Sequence, residues 1–114
     1  DNVVKDKSLE FAVRIVNLYK FLVNEQKEFV MSKQILRSGT SIGANIREAE
    51  QAQSRADFIN KLNIALKEAN ETEYWLELLI RTEYITREQY ESINNDSTEI
   101  NKLLISIIKT TKNN

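Results

Sequence analysis

The chain predicts an all-α protein, an antiparallel up-down-up-down four-helix bundle, on three observations. Its 114 residues contain no proline and two glycines, while helix-favouring Glu, Lys, Leu, Ile and Ala abound. Apolar residues recur every three or four positions in four separate stretches, the spacing of one helical face. The connections between those stretches are short, which favours antiparallel neighbours. A single domain spanning 1–114 is expected, with a small core and no repeat or linker.

The first helix is placed at about 4–24, where Val4, Phe11, Ile15, Leu18, Tyr19 and Leu22 share a face. Polar residues from Asn24 onward make the first connection. Ser32 is read as the cap of a second helix at about 32–53, with Ile35, Gly39, Ile42, Ile46 and Ala49 on its apolar stripe. Its end is the weakest boundary, because Ala49 to Ser54 contains no strong breaker. Ser54-Arg-Ala-Asp57 resembles a capping box and opens a third helix at about 55–82, striped by Phe58, Leu62, Ala65, Leu66, Ala69, Leu76 and Ile80. Residues Glu83 to Ile85 turn the chain. Thr86-Arg-Glu-Gln89 caps a fourth helix at about 87–112, which carries Tyr90, Ile93, Ser97, Ile100, Leu104, Ile107 and Ile108.

Composition removes several function classes. Cysteine and histidine are both absent, so thiolate chemistry, disulfides and the usual residues of metal and acid-base sites are missing. No cofactor or metal is expected. The formal charge of −1 gives the whole molecule no bias toward nucleic acid or anionic lipid, so only a local patch could supply one. No apolar run approaches the roughly 20 residues that span a bilayer, and the amino end is polar; a cytoplasmic protein without a membrane partner is expected. The chain starts at Asp1 rather than methionine, as a processed chain or truncated reading frame would.

The segment Arg37 to Ala49 holds both glycines, each costing about 1 kcal/mol against alanine inside a helix. On a wheel of 100° per residue, Lys33, Arg37, Thr40, Ala44, Arg47 and Gln51 form one strip, with Arg55 just beyond. Lys33, Arg37, Arg47 and Arg55 are therefore the candidates for contacting phosphates or a partner. The bland alternative is a solvated charged face, diluted by Glu48 and Glu50. Ser38, Ser41 and Asn45 align on a neighbouring strip of small polar side chains, which suits close approach of another backbone. Gly39-x-x-x-Gly43 also matches a membrane-helix dimer motif, but the arginines within the same turns favour packing inside a bundle.

Apolar side chains exceed what one core needs. Ile64, Trp75 and Leu78 fall opposite the main stripe of the third helix, and Leu9, Val13, Val16 and Val23 flank or oppose that of the first. Such surplus marks a subunit contact, unless wide stripes absorb it. The interface candidates are thus Ser38, Ser41, Asn45, Ile64, Trp75 and Leu78. The glutamates of the third helix invite a metal reading, yet bundle carboxylate sites pair glutamate with histidine. Glu68, Glu71 and Glu77 are read as solvated, countered by Lys67 and Arg81; Glu73 faces the core stripe and needs a partner, for which Arg14 is a candidate.

Two segments, "RSGTSIGANI" within Arg37 to Ile46 and "ALKEANETEYWLELL" from Ala65 to Leu79, resemble the bacterial family of 23S rRNA intervening-sequence proteins, and the likeness covers essentially the whole chain. It implies a four-helix bundle assembling as a homopentamer. A related branch, the accessory variability determinant proteins of diversity-generating retroelements, forms basic pentamers that bind nucleic acid and a reverse transcriptase; the near-neutral charge here departs from it. The family supplies no catalytic residues. The expectation is a non-enzymatic oligomeric binding or scaffold protein with RNA or a ribonucleoprotein as partner. The alternative is a protein-protein adaptor without nucleic-acid binding.

Overall fold

A helix leaves four N–H groups free at its start and four carbonyls free at its end, so its limits fall where local chemistry can satisfy them. In the computed structural model, which describes residues 2–114, these limits define α1 (Asn2–Asn24), α2 (Met31–Ala49), α3 (Arg55–Arg81) and α4 (Arg87–Lys112). Ser54 caps α3 by accepting from the Asp57 N–H at 3.1 Å, and Thr86 and Gln89 form a reciprocal capping box on α4. Ser32 does not cap α2. It lies inside the first turn, fully buried, and the cap position is Val30, which offers no side-chain acceptor. Glu28 replaces it: its carboxylate accepts from the N–H groups of Val30 (3.2 Å), Met31 (3.0 Å) and Ser32 (2.7 Å). A carboxylate there also suits the positive end of the helix dipole.

Two helices end on residues in the left-handed region. Lys27 follows α1 with φ 55°, and Glu83 follows α3 with φ 66°. Beyond Glu83 the Tyr84 N–H reaches the Leu79 carbonyl at 2.9 Å, the bond of a Schellman closure. α2 stops at Ala49, short of Gln53. The chain tightens there into three-residue bonds, Glu50 N–H to the Arg47 carbonyl, Gln51 to Glu48 and Ala52 to Ala49, which end the α-helical ladder without a breaker residue.

The helices enclose one core. Val4, Phe11, Ile15 and Leu22 enter from α1, Ile35, Ile42 and Ile46 from α2, Leu62, Ala65, Ala69 and Leu76 from α3, and Ile93, Ile100, Leu104 and Ile108 from α4. Phe58, Leu66 and Ile80 are only partly buried, whereas Thr72 and Leu79, outside the expected stripe, are fully buried. α2 packs on α1 and α3; α4 packs on α3 and more sparsely on α1; among the described residues α1 does not meet α3, nor α2 meet α4.

Gly39 and Gly43 explain the tight α1–α2 contact. A Cβ at Gly39 would stand 2.7 Å from Ile15 Cγ1, and one at Gly43 would stand 3.3 Å from Ser8 Oγ. The gain in core packing offsets the helix cost of glycine. Across the α2–α3 contact the Ser38 and Thr72 hydroxyl oxygens lie 2.9 Å apart, both in fully buried residues.

Arg14 is not the partner of Glu73. Its guanidinium donates to Asp96 Oδ2 at 2.7 Å and to Ser92 Oγ at 2.9 Å, tying α1 to the outer edge of α4. The Glu73 carboxylate instead accepts from Ser97 Oγ (3.1 Å) and Asn101 Nδ2 (2.6 Å) on α4. Neutral donors satisfy a half-buried carboxylate with less desolvation than a second buried charge would bring.

Candidate functional site

The outward half of α2 and its border with α3 hold most of the candidate residues. Arg37, in the middle of α2, is directed across the α2–α3 groove. Its guanidinium donates to Glu68 at 3.2 Å and pairs still more closely with Glu71, whose carboxylate also accepts from the Trp75 indole N–H at 3.0 Å. The Arg37 contact, and then the Trp75 hydrogen bond, hold the Glu71 carboxyl below its usual range, and Glu71 in turn raises Arg37. Arg37 is thus an intramolecular bridge. Lys67 does not counter these two glutamates, although Arg81 pairs with Glu77 at 3.0 Å.

The other three cations are free of such bonds. Lys33, Arg47 and Arg55 are exposed and take no part in an ion pair among the described residues. Arg47 lies in the last turn of α2, where the helix dipole favours a cation, and Arg55 begins α3 just across the connecting loop. Of the acids near in sequence, Glu48 pairs with Lys61 at 3.1 Å and Glu50 with Lys5 at 3.2 Å, while Asp57 in the first turn of α3 accepts from the Gln53 N–H at 3.2 Å. Arg47 and Arg55 thus stand exposed with no ion pair of their own among the described residues. Lys33 sits fourteen residues before Arg47 on the same helix, about 21 Å away at 1.5 Å per residue.

The small polar strip divides. Ser38 is fully buried inside the protomer and cannot line a contact with another molecule, which corrects its reading as an interface residue. Its neighbour across the helix pair is Thr72, not a second chain. Ser41 and Asn45 stay half-buried, but each donates back to its own helix, Ser41 Oγ to the Arg37 carbonyl (2.6 Å) and Asn45 Nδ2 to the Ser41 carbonyl (2.8 Å). Ile64 and Leu78 are half-buried on α3, whereas Trp75 packs against the hydrophobic core and donates to Glu71, which corrects its reading as surplus surface. Tyr74, 57% exposed and edge-on to the Trp75 ring at 5.1 Å, belongs to the same surface and was missed; its outward wheel position next to Leu78 was the available signal.

Comparison with known proteins now adds to this geometry. The family model for 23S rRNA-intervening sequence proteins matches residues 1–106. The chain belongs to that family. Among solved structures, a protein of unknown function from the S23 ribosomal protein family of Bacteroides thetaiotaomicron is similar, with a TM-score of 0.92 and 98% identity over 95% of this chain and 93% of that one. No curated protein matches the chain. For this member of the 23S rRNA-intervening sequence family, the structure leaves Arg47 and Arg55 exposed and out of any ion pair among the described residues, engages the still exposed Arg37 with Glu68 and Glu71, and buries Ser38. No helix is long and apolar enough to cross a membrane among the described residues.

Proposed function

We propose that the chain acts in the cytoplasm as a non-enzymatic, oligomeric binding protein, an up-down-up-down bundle assembled as a homopentamer, with RNA or a ribonucleoprotein as its partner. The observation that carries the partner is the unpaired Arg47–Arg55 end, because free guanidinium groups contact phosphates at no cost in broken ion pairs. The bundle topology is supported by contacts that run in opposite senses along adjoining helices: Ile15 with Gly39 and Lys5 with Glu50, Arg37 with Glu68 and Lys61 with Glu48. The oligomer is supported by Leu9, Val13 and Tyr74, each at least half exposed.

Filter binding of a structured RNA across a salt series tests the partner. Binding should weaken steeply with salt, and Arg47→Ala and Arg55→Ala should each lower affinity across RNA sequences and flatten the salt slope. No binding by the unsubstituted protein at low salt would remove the RNA reading. A second reading, a protein-protein adaptor, is favoured by the engagement of Arg37, which takes the central cation of the strip away from phosphate.

A further inference from the structure

Arg37 is bound to the acids of another helix, yet it stays within reach of solvent. Its side chain is 49% exposed, against 21% for Glu68 and 36% for Glu71, and its guanidinium spans both carboxylates. Glu71 is itself held on Arg37 by the Trp75 indole N–H at 3.0 Å. An ion pair this open to water is worth little, because solvent and salt screen it, so another anion can take its place. Lys33 stands one turn earlier in the same strip of α2, exposed and outside any ion pair among the described residues.

Two carboxylates on the central cation of that strip act twice against a phosphate chain that approaches it. They occupy guanidinium donors that phosphate oxygens would otherwise take, and, outnumbering the one cation, they leave the cluster net negative. Without them α2 would offer cations at 33, 37 and 47 along one strip, instead of at 33 and 47 alone.

We propose that Glu68 and Glu71 mask Arg37 as a phosphate contact, and that RNA phosphates compete with these carboxylates for its guanidinium. The inference rests on the RNA reading above and adds an intramolecular competitor to it. Arg37 is then a binding residue held in reserve by α3, while Arg47 and Arg55 make contact without displacing anything.

A mutant cycle on RNA binding tests it. Glu68→Gln/Glu71→Gln keeps the shape of both side chains and leaves a carbonyl to accept from Trp75; Glu71→Gln alone serves if the double variant lacks native circular dichroism. Filter binding of a structured RNA across a salt series should show tighter binding at low salt and a steeper slope, by about one released counterion. That slope change amounts to roughly threefold more affinity lost for each fourfold rise in salt. The gain should disappear when the same substitutions are made in an Arg37→Ala background. A gain of equal size there would be net charge acting at a distance and would overturn the masking. Unchanged affinity and slope, with RNA still bound by the unsubstituted protein, would overturn it too and leave the RNA reading standing. Absence of RNA binding at low salt by both the unsubstituted protein and the glutamine variant would overturn both.

Discussion

Gly39 and Gly43 are four apart on one helix, yet α1 meets them differently. A methyl at Gly39 would overlap the fully buried, β-branched Ile15, whose Cγ atoms cannot swing aside. Gly39→Ala should therefore destabilise by about 1–3 kcal/mol through overpacking, outweighing its helix-propensity gain. At Gly43 the nearest atoms, 3.3 and 3.4 Å away, need yield only slightly. Gly43→Ala should be neutral or stabilising by up to about 1 kcal/mol. Urea unfolding of both variants separates the cases; equal losses would contradict the packing argument. Arg37 carries a pH signature. With the Glu71 carboxyl below its ordinary value of 4.5, the contact stabilises the fold fully above that value and is lost as pH falls through the depressed one. Arg37→Ala should lose stability near neutral pH, and its curve should converge with that of the unsubstituted protein in acid. A constant difference across pH would mean that Arg37 acts by packing alone.

Helix ends show which signals are local. Ser54 and Thr86 are readable in sequence because each is a favoured N-cap residue and accepts from an N–H only three residues on. Glu28 is just as near to the N–H groups that it satisfies, two to four residues on, but glutamate is not among the favoured N-cap residues, so its type does not announce the cap. The left-handed residues remain as local costs. Glu83 closes α3 at φ 66°, where a Cβ is unfavourable by roughly 1–2 kcal/mol. Glu83→Gly should raise stability by about 0.5–1 kcal/mol, the net after glycine's larger entropy loss in folding. Thermal unfolding checks this, and a lower midpoint would mean that the Glu83 side chain contributes a contact of its own.

The proposed assembly would change how the weak cationic end acts on a ligand. Two free arginines per copy release few counterions, but the proposed ring would repeat them, and simultaneous contacts would add through effective concentration. The affinity lost with Arg47→Ala should therefore exceed that of a single phosphate contact, and it should shrink in variants that do not assemble. Filter binding on both backgrounds measures the difference; equal losses would place RNA contact on single copies. Such a site is only half readable along the chain. Lys33, Arg47 and Arg55 are exposed on the wheel and in space, while Arg37 and Ser38 occupy equally outward-looking strips and are claimed by Glu68, Glu71 and Thr72 of another helix.

What the chain determines by itself is periodic and local: four amphipathic helices, most of the core, two N-caps and the surplus apolar rows, since these follow from residue spacing at 3.6 per turn. Folding alone assigned the partners of Arg14, Glu73, Arg37 and Ser38. Each of these meets a residue at least 24 positions away, and which side chains of two helices oppose one another depends on their register and rotation, set by packing around Gly39, Ile15 and the rest of the core.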